Sequence, residues 1–418
     1  MIFLPIIIII STALVSRSIL GSWLSPGSFF ALCWSFFLIM PLVFAPSYNV
    51  DLIGIWFIVI FSMACASGSV IASKPFLNTK INFNSTFINY YNLKISFLII
   101  SFISIFGLYL LYNYALFKYN FGYYSLTWLS IPNLIAIDRY NDELTYPLLI
   151  KYSLYFIYPA NLLGGLLFSL EKSRLKSKII FLLPLFLAFF LGVLEGARSG
   201  ILLGLIIFFS SWLSTFIPNS LNKTEKRSYI KLGFAFISLI MMFTLIFILI
   251  QWLRQGMDNL IVSLLFDRVK AYFFGYLAAF SQWFISHDNI GLTGGLTTFA
   301  GPFNFIGIVD RPLGFYEPIT VALTTTTNIF TAFRGLVIDF SITGAVIFAF
   351  LIGFIAQIFF NKSQNIRLIK TLPISMFYAF TLYSPLISIF HYNSIIFSWV
   401  IAFFLILFGK DEYKNHYS

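Results

Sequence analysis

Apolar runs of bilayer-spanning length recur along the whole of this 418-residue chain, and they constrain its fold more than any motif does. A helix needs roughly 20 mostly apolar residues to cross the hydrocarbon core, where every backbone N–H and C=O must be bonded internally. Runs that satisfy this fall near 2–19, 28–46, 52–73, 95–114, 152–170, 179–194, 199–217, 230–250, 336–360, 372–390 and 394–407. They predict an all-α polytopic membrane protein of about eleven (ten to twelve) transmembrane helices, a single integral membrane domain over residues 1–418. Composition agrees, because charged residues are only 10% of the chain, against about 25% in a soluble domain. The first run lacks a basic flank and a small-residue cleavage site, which predicts a membrane helix and not a cleaved signal.

Lys and Arg in short loops set the orientation. Segments 74–94, 171–178, 223–231 and 362–370 are Lys-rich, and their alternation with the runs puts all four on the cytoplasmic side and the N-terminus outside. A further helix over 121–136 would reverse the N-terminus, but Pro132 and Asn133 favour a loop there. Two long extracytoplasmic loops follow, 115–151 and 251–335. Within the second, 259–286 has helical spacing with a polar cluster at Asp267, Arg268 and Lys270, and predicts an amphipathic helix lying on the membrane surface. The rest of that loop is rich in Gly, Thr and Pro and reads as ordered loop. No internal repeat and no inverted pair of broken helices points to a transporter.

The two faces differ in their kind of base. Outside stand Arg139, Arg198, Arg254, Arg268, Arg311 and Arg334, six of the ten arginines, whereas Lys dominates inside. Lys serves topology as a point charge; the Arg fork grips phosphate bidentately and stays charged when desolvated. The outward set therefore points to an anionic ligand, with pairing to the outward acids as the competing reading. Glu195, Arg198, Arg254, Arg334, Asp339 and His391 lie at the ends of apolar runs, where burial makes an ionisable group costly and so a site candidate. The alternative for each is an interfacial residue snorkelling to the headgroups. Glycines flank Arg198 and allow close backbone approach. His287 sits in a polar turn and reads as ordinary. Cys33 and Cys65 lie in apolar runs and the three histidines are far apart, so no disulfide and no metal site is predicted. No phosphate loop, nucleophile elbow, zinc-helix or dinucleotide motif occurs. No basic stripe carries interleaved stacking aromatics, which excludes a nucleic-acid partner. The outward Tyr and Trp read as an interfacial belt.

Three strings carry a resemblance: Leu194-Glu-Gly-Ala-Arg-Ser-Gly-Ile-Leu-Leu203, Ala271-Tyr-Phe-Phe-Gly-Tyr-Leu-Ala-Ala-Phe-Ser-Gln-Trp283, and Thr327-Asn-Ile-Phe-Thr-Ala-Phe-Arg-Gly-Leu-Val-Ile-Asp-Phe-Ser-Ile-Thr-Gly344. In order and spacing they resemble the small-residue Arg-Ser-Gly turn, the surface helix, and the Asn-x-Phe-Thr segment with its acid-Phe-Gly-x-x-Gly helix start of the Wzy-type O-antigen and oligosaccharide repeat-unit polymerases. Ser341 stands where the family pattern has Gly, and Ala197 where it has Ser.

The resemblance implies a membrane-embedded glycosyltransferase-like bundle in the bacterial inner membrane, with its active site facing the periplasm and no metal or cofactor. It implies transfer of a glycan chain from undecaprenyl pyrophosphate onto an incoming lipid-linked repeat unit, building O-antigen or a capsule-like polysaccharide. Its partners would be that lipid-linked oligosaccharide, the bilayer, and a chain-length regulator in the same membrane. Arg198, Arg254 and Arg334 would bind pyrophosphate. Arg198, Asp339, Glu317 and His391 would be catalytic, with Asp310 a further candidate base. Asp310, Arg311, Tyr316 and Asn328 would contact sugar. A ligase that moves finished glycan shares this topology and donor. A flippase needs charges along both leaflets, and a non-enzymatic scaffold leaves the outward arginines without a reason.

Overall fold

In a computed structural model, residues 3–73, 90–119, 130–141, 143–171, 178–220, 238, 241, 244–253, 262–287, 291–310, 315–323, 325–363 and 368–408 are described. The helices are α1 (Phe3–Leu20), α2 (Pro26–Phe44), α3 (Leu52–Ala72), α4 (Tyr90–Lys118), α5 (Ile131–Tyr140), α6 (Leu148–Tyr155), α7 (Ile157–Leu170), α8 (Leu183–Leu194) and α9 (Arg198–Ser220). There follow α10 (Thr244–Leu253), α11 (Val262–Ser286), α12 (Ala300–Phe305), α13 (Ala332–Ser363), α14 (Leu368–Tyr383) and α15 (Asn393–Phe408). Seven helical stretches among the described residues are long and apolar enough to cross a membrane, and four shorter apolar helices accompany them. All of these fall on the predicted runs. Large apolar side chains stay exposed along them, including Phe102 (70%), Leu245 (67%) and Ile347 (55%), a surface that water does not tolerate and lipid does. The protein is an all-α, multi-pass membrane protein. The Lys-rich segments on which the expected orientation rests lie mostly outside the described residues.

Prolines account for two boundaries that the apolar runs did not give. Pro159 has no N–H for the Tyr155 carbonyl, and α6 gives way to α7 at Phe156. The run predicted to reach Phe390 stops as helix at Tyr383, because Pro385 disfavours helical geometry at Ser384; His391 follows in a 3-10 turn, Ile389–His391.

The chain divides into two compact units, each built from two separate stretches of sequence: Met1–Phe83 with Phe266–Ile396, and Asn84–Leu265 with Phe397–Ser418. In the first unit α3 and α13 meet at glycines. A Cβ on Gly68 would lie 2.1 Å from the Phe350 carbonyl oxygen and one on Gly353 2.1 Å from that of Cys65, while Ser69 Oγ donates to the Gly353 carbonyl at 3.0 Å. Lipid gives helices no hydrophobic reason to associate, so close backbone contact of this kind has to hold them. Trp34 of α2 is fully buried against Phe333 and donates to Ser384 Oγ at 3.1 Å. Helix α11 forms where an amphipathic helix was expected, but its middle is not a membrane-facing surface. Tyr276 to Ser281 are buried, Tyr276 Oη donates to the Phe37 carbonyl at 2.5 Å, and Gly54 admits Ser281 at the start of α3. A two-stranded antiparallel hairpin, β1 (Ile319–Ala322) with β2 (Thr325–Thr327), pairs Ile319 with Thr327 and packs Thr327 on Gly275 of α11.

The second unit uses the same devices. Gly165 of α7 lets the Phe208 carbonyl of α9 come within 2.2 Å of where a Cβ would stand. Asn161 is fully buried and donates to the carbonyls of Ile157 at 2.9 Å and Pro184 at 3.1 Å, tying α7 to α8.

Candidate functional site

The first unit gathers four of the predicted residues, Arg334, Tyr316, Asp339 and His391, around the start of α13. Arg334 lies two residues into that helix. Its guanidinium sits 4.0 Å from the Phe330 ring centre, 4.2 Å from that of Tyr316 and 5.1 Å from that of Trp283. Its Nε is buried, and among the described residues that nitrogen has no hydrogen-bond partner and the side chain forms no ion pair. Aromatic faces hold the cation in place without neutralising it. Tyr316 is buried. Burial pushes its hydroxyl above the ordinary tyrosine pKa; Arg334 pulls the other way, and Asp339 adds to the rise. It therefore stays a protonated donor. Tyr316 Oη and Thr298 Oγ1 each lie 3.3 Å from where a Cβ on Gly335 would stand, and Thr298 Oγ1 is buried with no hydrogen-bond partner among the described residues.

Asp339, one turn further along α13, is 1% exposed. Its carboxylate accepts from the backbone N–H of Thr297 at 2.9 Å and of Thr298 at 2.6 Å, and also from Thr293 Oγ1. The donors come from a tight turn at Gly294 (φ 62°) and Gly295 (φ 104°), conformations that glycine adopts without strain. Gly294 N–H also reaches the Asp339 carbonyl at 3.1 Å. Asp339 thus organises the Thr293–Thr298 segment, and its lone pairs are largely engaged in doing so. The same segment touches His391, whose Nδ1 lies 3.5 Å from the Thr297 carbonyl. His391 is 4% exposed and meets the Phe315 ring edge-on at 4.5 Å. One residue, Thr297, therefore links the buried acid to the buried imidazole.

That Ser341 stands where the resemblance implies Gly has a structural counterpart. Ser341 takes φ 65° and ψ 175° and breaks α13 into two helices. This region of backbone space belongs almost entirely to glycine, and another residue there costs on the order of 1–3 kcal/mol. Ser341 Oγ accepts from the Gly344 N–H at 3.4 Å and caps the second helix; glycine loses only a few tenths of a kcal/mol as a cap. Ser341→Gly is therefore expected to stabilise the detergent-solubilised protein by roughly 1–2 kcal/mol. Its thermal unfolding midpoint should rise by a few degrees; an unchanged or lower midpoint would remove strain from the account.

Glu317, Asp310 and Asn328 are exposed. Glu317 and Asn328 flank the open end of the hairpin; the Glu317 charge acts on Arg334 from there without forming an ion pair with it. Arg254 and Arg311 lie outside the described residues.

Arg198 belongs to the second unit and is the first residue of α9. The turn before it closes α8: Gly196 N–H bonds to the Val193 carbonyl at 3.2 Å and Ala197 N–H to that of Gly192 at 2.9 Å, with Gly196 at φ 58°. The Arg198 guanidinium lies 4.3 Å from the Phe247 ring centre. The flanking glycines do admit close neighbours, since a Cβ would meet the Pro132 carbonyl oxygen at 3.0 Å on Gly196 and Tyr158 Oη at 3.2 Å on Gly200. Glu195, a site candidate by charge, is ion-paired to Arg139 at 2.8 Å. For Arg139 the plain pairing reading holds.

Sequence reading missed Thr293, Thr297 and Thr298. Their part is played by main-chain N–H groups and a hydroxyl, which no residue pattern marks. Among the described residues no group of three or more His, Cys, Asp and Glu is placed to hold a metal ion. What these groups can bind rests on their own chemistry, for the chain matches no known protein family, and no curated protein and no solved structure is similar to it.

Proposed function

We propose that this protein polymerises lipid-linked oligosaccharide repeat units on the outer face of the bacterial inner membrane. The growing glycan on undecaprenyl pyrophosphate is transferred onto one incoming unit on the same lipid. The observation that carries the reading is Arg334, a cation with no ion pair among the described residues, packed among three aromatic rings beside buried hydroxyls. A cation so held is preorganised for an oxyanion. The leaving group here is a lipid pyrophosphate, already anionic near neutral pH, which needs charge stabilisation more than a proton. The outward arginine bias, the order of the three family-like strings and the apolar spans support the same reading.

In this mechanism the acceptor hydroxyl oxygen attacks the anomeric carbon of the donor. The bond from that carbon to the phosphate oxygen breaks, and undecaprenyl pyrophosphate leaves with the electron pair. Arg334, in the first unit, stabilises the departing charge; Arg198, in the second, is assigned to a lipid pyrophosphate in its own right, with Arg254 in the same role. The hydroxyl proton passes to His391. Asp339 is set aside as the base because its carboxylate is engaged by three donors; its part is to hold the segment that carries Thr297 against His391. Tyr316 and Asn328, with Asp310, Arg311 and Glu317, are assigned to the sugars.

Deleting the gene in its host separates the neighbouring readings. A polymerase null leaves surface glycan with a single repeat unit, which is the expected result. A ligase null leaves long glycan on the carrier lipid, and a flippase null strands units on the cytoplasmic side; either outcome removes the polymerase reading.

A further inference from the structure

Helix α5 is a short piece of the first long loop, and its sequence gives it two unlike sides. Ile131 and Ile135 are buried against Ala115, with Leu116, Tyr119 and Leu144 around them. Its last turn carries Asp138 and Arg139, adjacent residues that point about 100° apart on a helix and so cannot serve one partner. Asp138 turns back to the end of α4, where Lys118 Nζ lies 2.7 Å from its carboxylate and Tyr119 Oη donates to it at 2.8 Å. Burial disfavours the Asp138 charge, but the Lys118 ammonium and the Tyr119 hydroxyl outweigh it and hold its pKa below the ordinary carboxylate value. Lys118 also donates to the Glu143 carbonyl at 3.3 Å, which fastens the chain leaving α5. Arg139 reaches the other way, to Glu195 at 2.8 Å. Burial works against the Arg139 charge, yet Glu195 and Tyr146 more than offset it and leave its pKa above the usual arginine value.

Between these two anchors α5 lies on the turn that starts α9. The Pro132 carbonyl oxygen and the Ala136 Cβ are 3.0 Å and 3.4 Å from where a Cβ on Gly196 would stand. Gly196 is thus required twice, by its φ of 58° and by this contact. Three residues in succession then have separate tasks: Glu195 is gripped by α5, Gly196 is covered by it, and Ala197 closes the turn before Arg198 emerges.

We propose that α5 is a latch: the Arg139–Glu195 pair clamps the Gly196 turn and thereby sets where Arg198 presents its guanidinium. Arg139 and Glu195 are positioning residues that act through Arg198. The inference rests on the reading of Arg198 as a pyrophosphate-binding residue. A charge that stabilises a leaving group loses most of its effect when it is displaced by about 1 Å, and misplacement of that size can cost about 100-fold in rate.

The test is a double-mutant cycle on purified full-length protein in vesicles, scored by the rate of chain extension on a lipid-linked repeat unit. Arg139→Ala and Glu195→Ala should each lower that rate, measured per folded protein, by roughly 10- to 100-fold. The charge-exchanged pair Arg139→Glu with Glu195→Arg should recover most of it, and Arg139→Ala should add nothing in an Arg198→Ala background. Native rates in both single variants, or an Arg139→Ala loss that is undiminished in the Arg198→Ala background, overturn the latch. Should Arg198→Ala itself extend chains at the native rate, the role given to Arg198 fails, and a second readout decides the latch without any activity. Arg198→Cys is labelled with a membrane-impermeant thiosulfonate, with and without Glu195→Ala. The latch predicts labelling about tenfold faster or more once Glu195 is gone, as a clamped turn is released; an unchanged labelling rate overturns it.

Discussion

Replacing Arg334 by alanine is expected to stop glycan polymerisation, and Arg334→Lys to leave no more than about 1% of it. The reason lies in how the guanidinium is held. Three aromatic rings pack against it and no described acid forms an ion pair with it, so its charge is not screened by water on all sides, and Glu317 acts on it only beyond ion-pair distance. Losing one such donor to a developing oxyanion costs roughly 100- to 1,000-fold in rate. Lysine keeps the charge but not the planar fork, stacks less well on aromatic faces and is more strongly hydrated. The substitution also removes ring contacts of about 0.5–1 kcal/mol each, so membrane abundance and thermal midpoint must be measured beside the glycan ladder. A normal ladder from Arg334→Lys at normal abundance would strip Arg334 of its role.

Asp339→Ala is expected to destabilise the protein by about 3–5 kcal/mol, enough to lower its level in the membrane sharply. Two backbone N–H groups and the Thr293 hydroxyl would lose their acceptor in a buried place, and the Gly294–Gly295 turn would lose what closes it. Asp339→Asn is the more telling variant. The amide keeps the shape, but its NH2 must face at least one of the N–H groups that the carboxylate accepts from. It should unfold at a lower temperature than the native protein, by an amount corresponding to roughly 1–3 kcal/mol. An Asp339→Asn protein as stable as the native one but inactive would instead make Asp339 a catalytic base and displace His391 from that role.

The helices were legible because lipid imposes a length and a composition that residues cannot disguise; runs such as 52–73 and 336–360 carry both. Arg334 and Asp339 stood out for the same reason, as charges in apolar surroundings. What closes around Asp339 was not legible. Thr293, Thr297 and Thr298 lie more than 40 residues earlier and act through main-chain groups that every sequence has. The pairing of Arg139 with Glu195 was hidden likewise, since charge alone did not say which outward arginine meets which outward acid. The hairpin at 319–327 has no Asn-Gly or Asp-Gly turn to announce it. The two compact units left no trace in composition, because each is assembled from separate stretches of sequence. Ser341 is the instructive case. The sequence marked it as a departure from a glycine pattern, and the backbone there adopts the conformation glycine would favour.

The most direct measurement is reconstitution. Purified full-length protein is placed in vesicles with a single substrate, an undecaprenyl-pyrophosphate-linked repeat unit, in the presence of a metal chelator. The account predicts a ladder of lipid-linked oligomers, one undecaprenyl pyrophosphate released for each new linkage, and no ladder from Arg334→Ala. Repeat units that stay single, or that cross the bilayer without being joined, would contradict it.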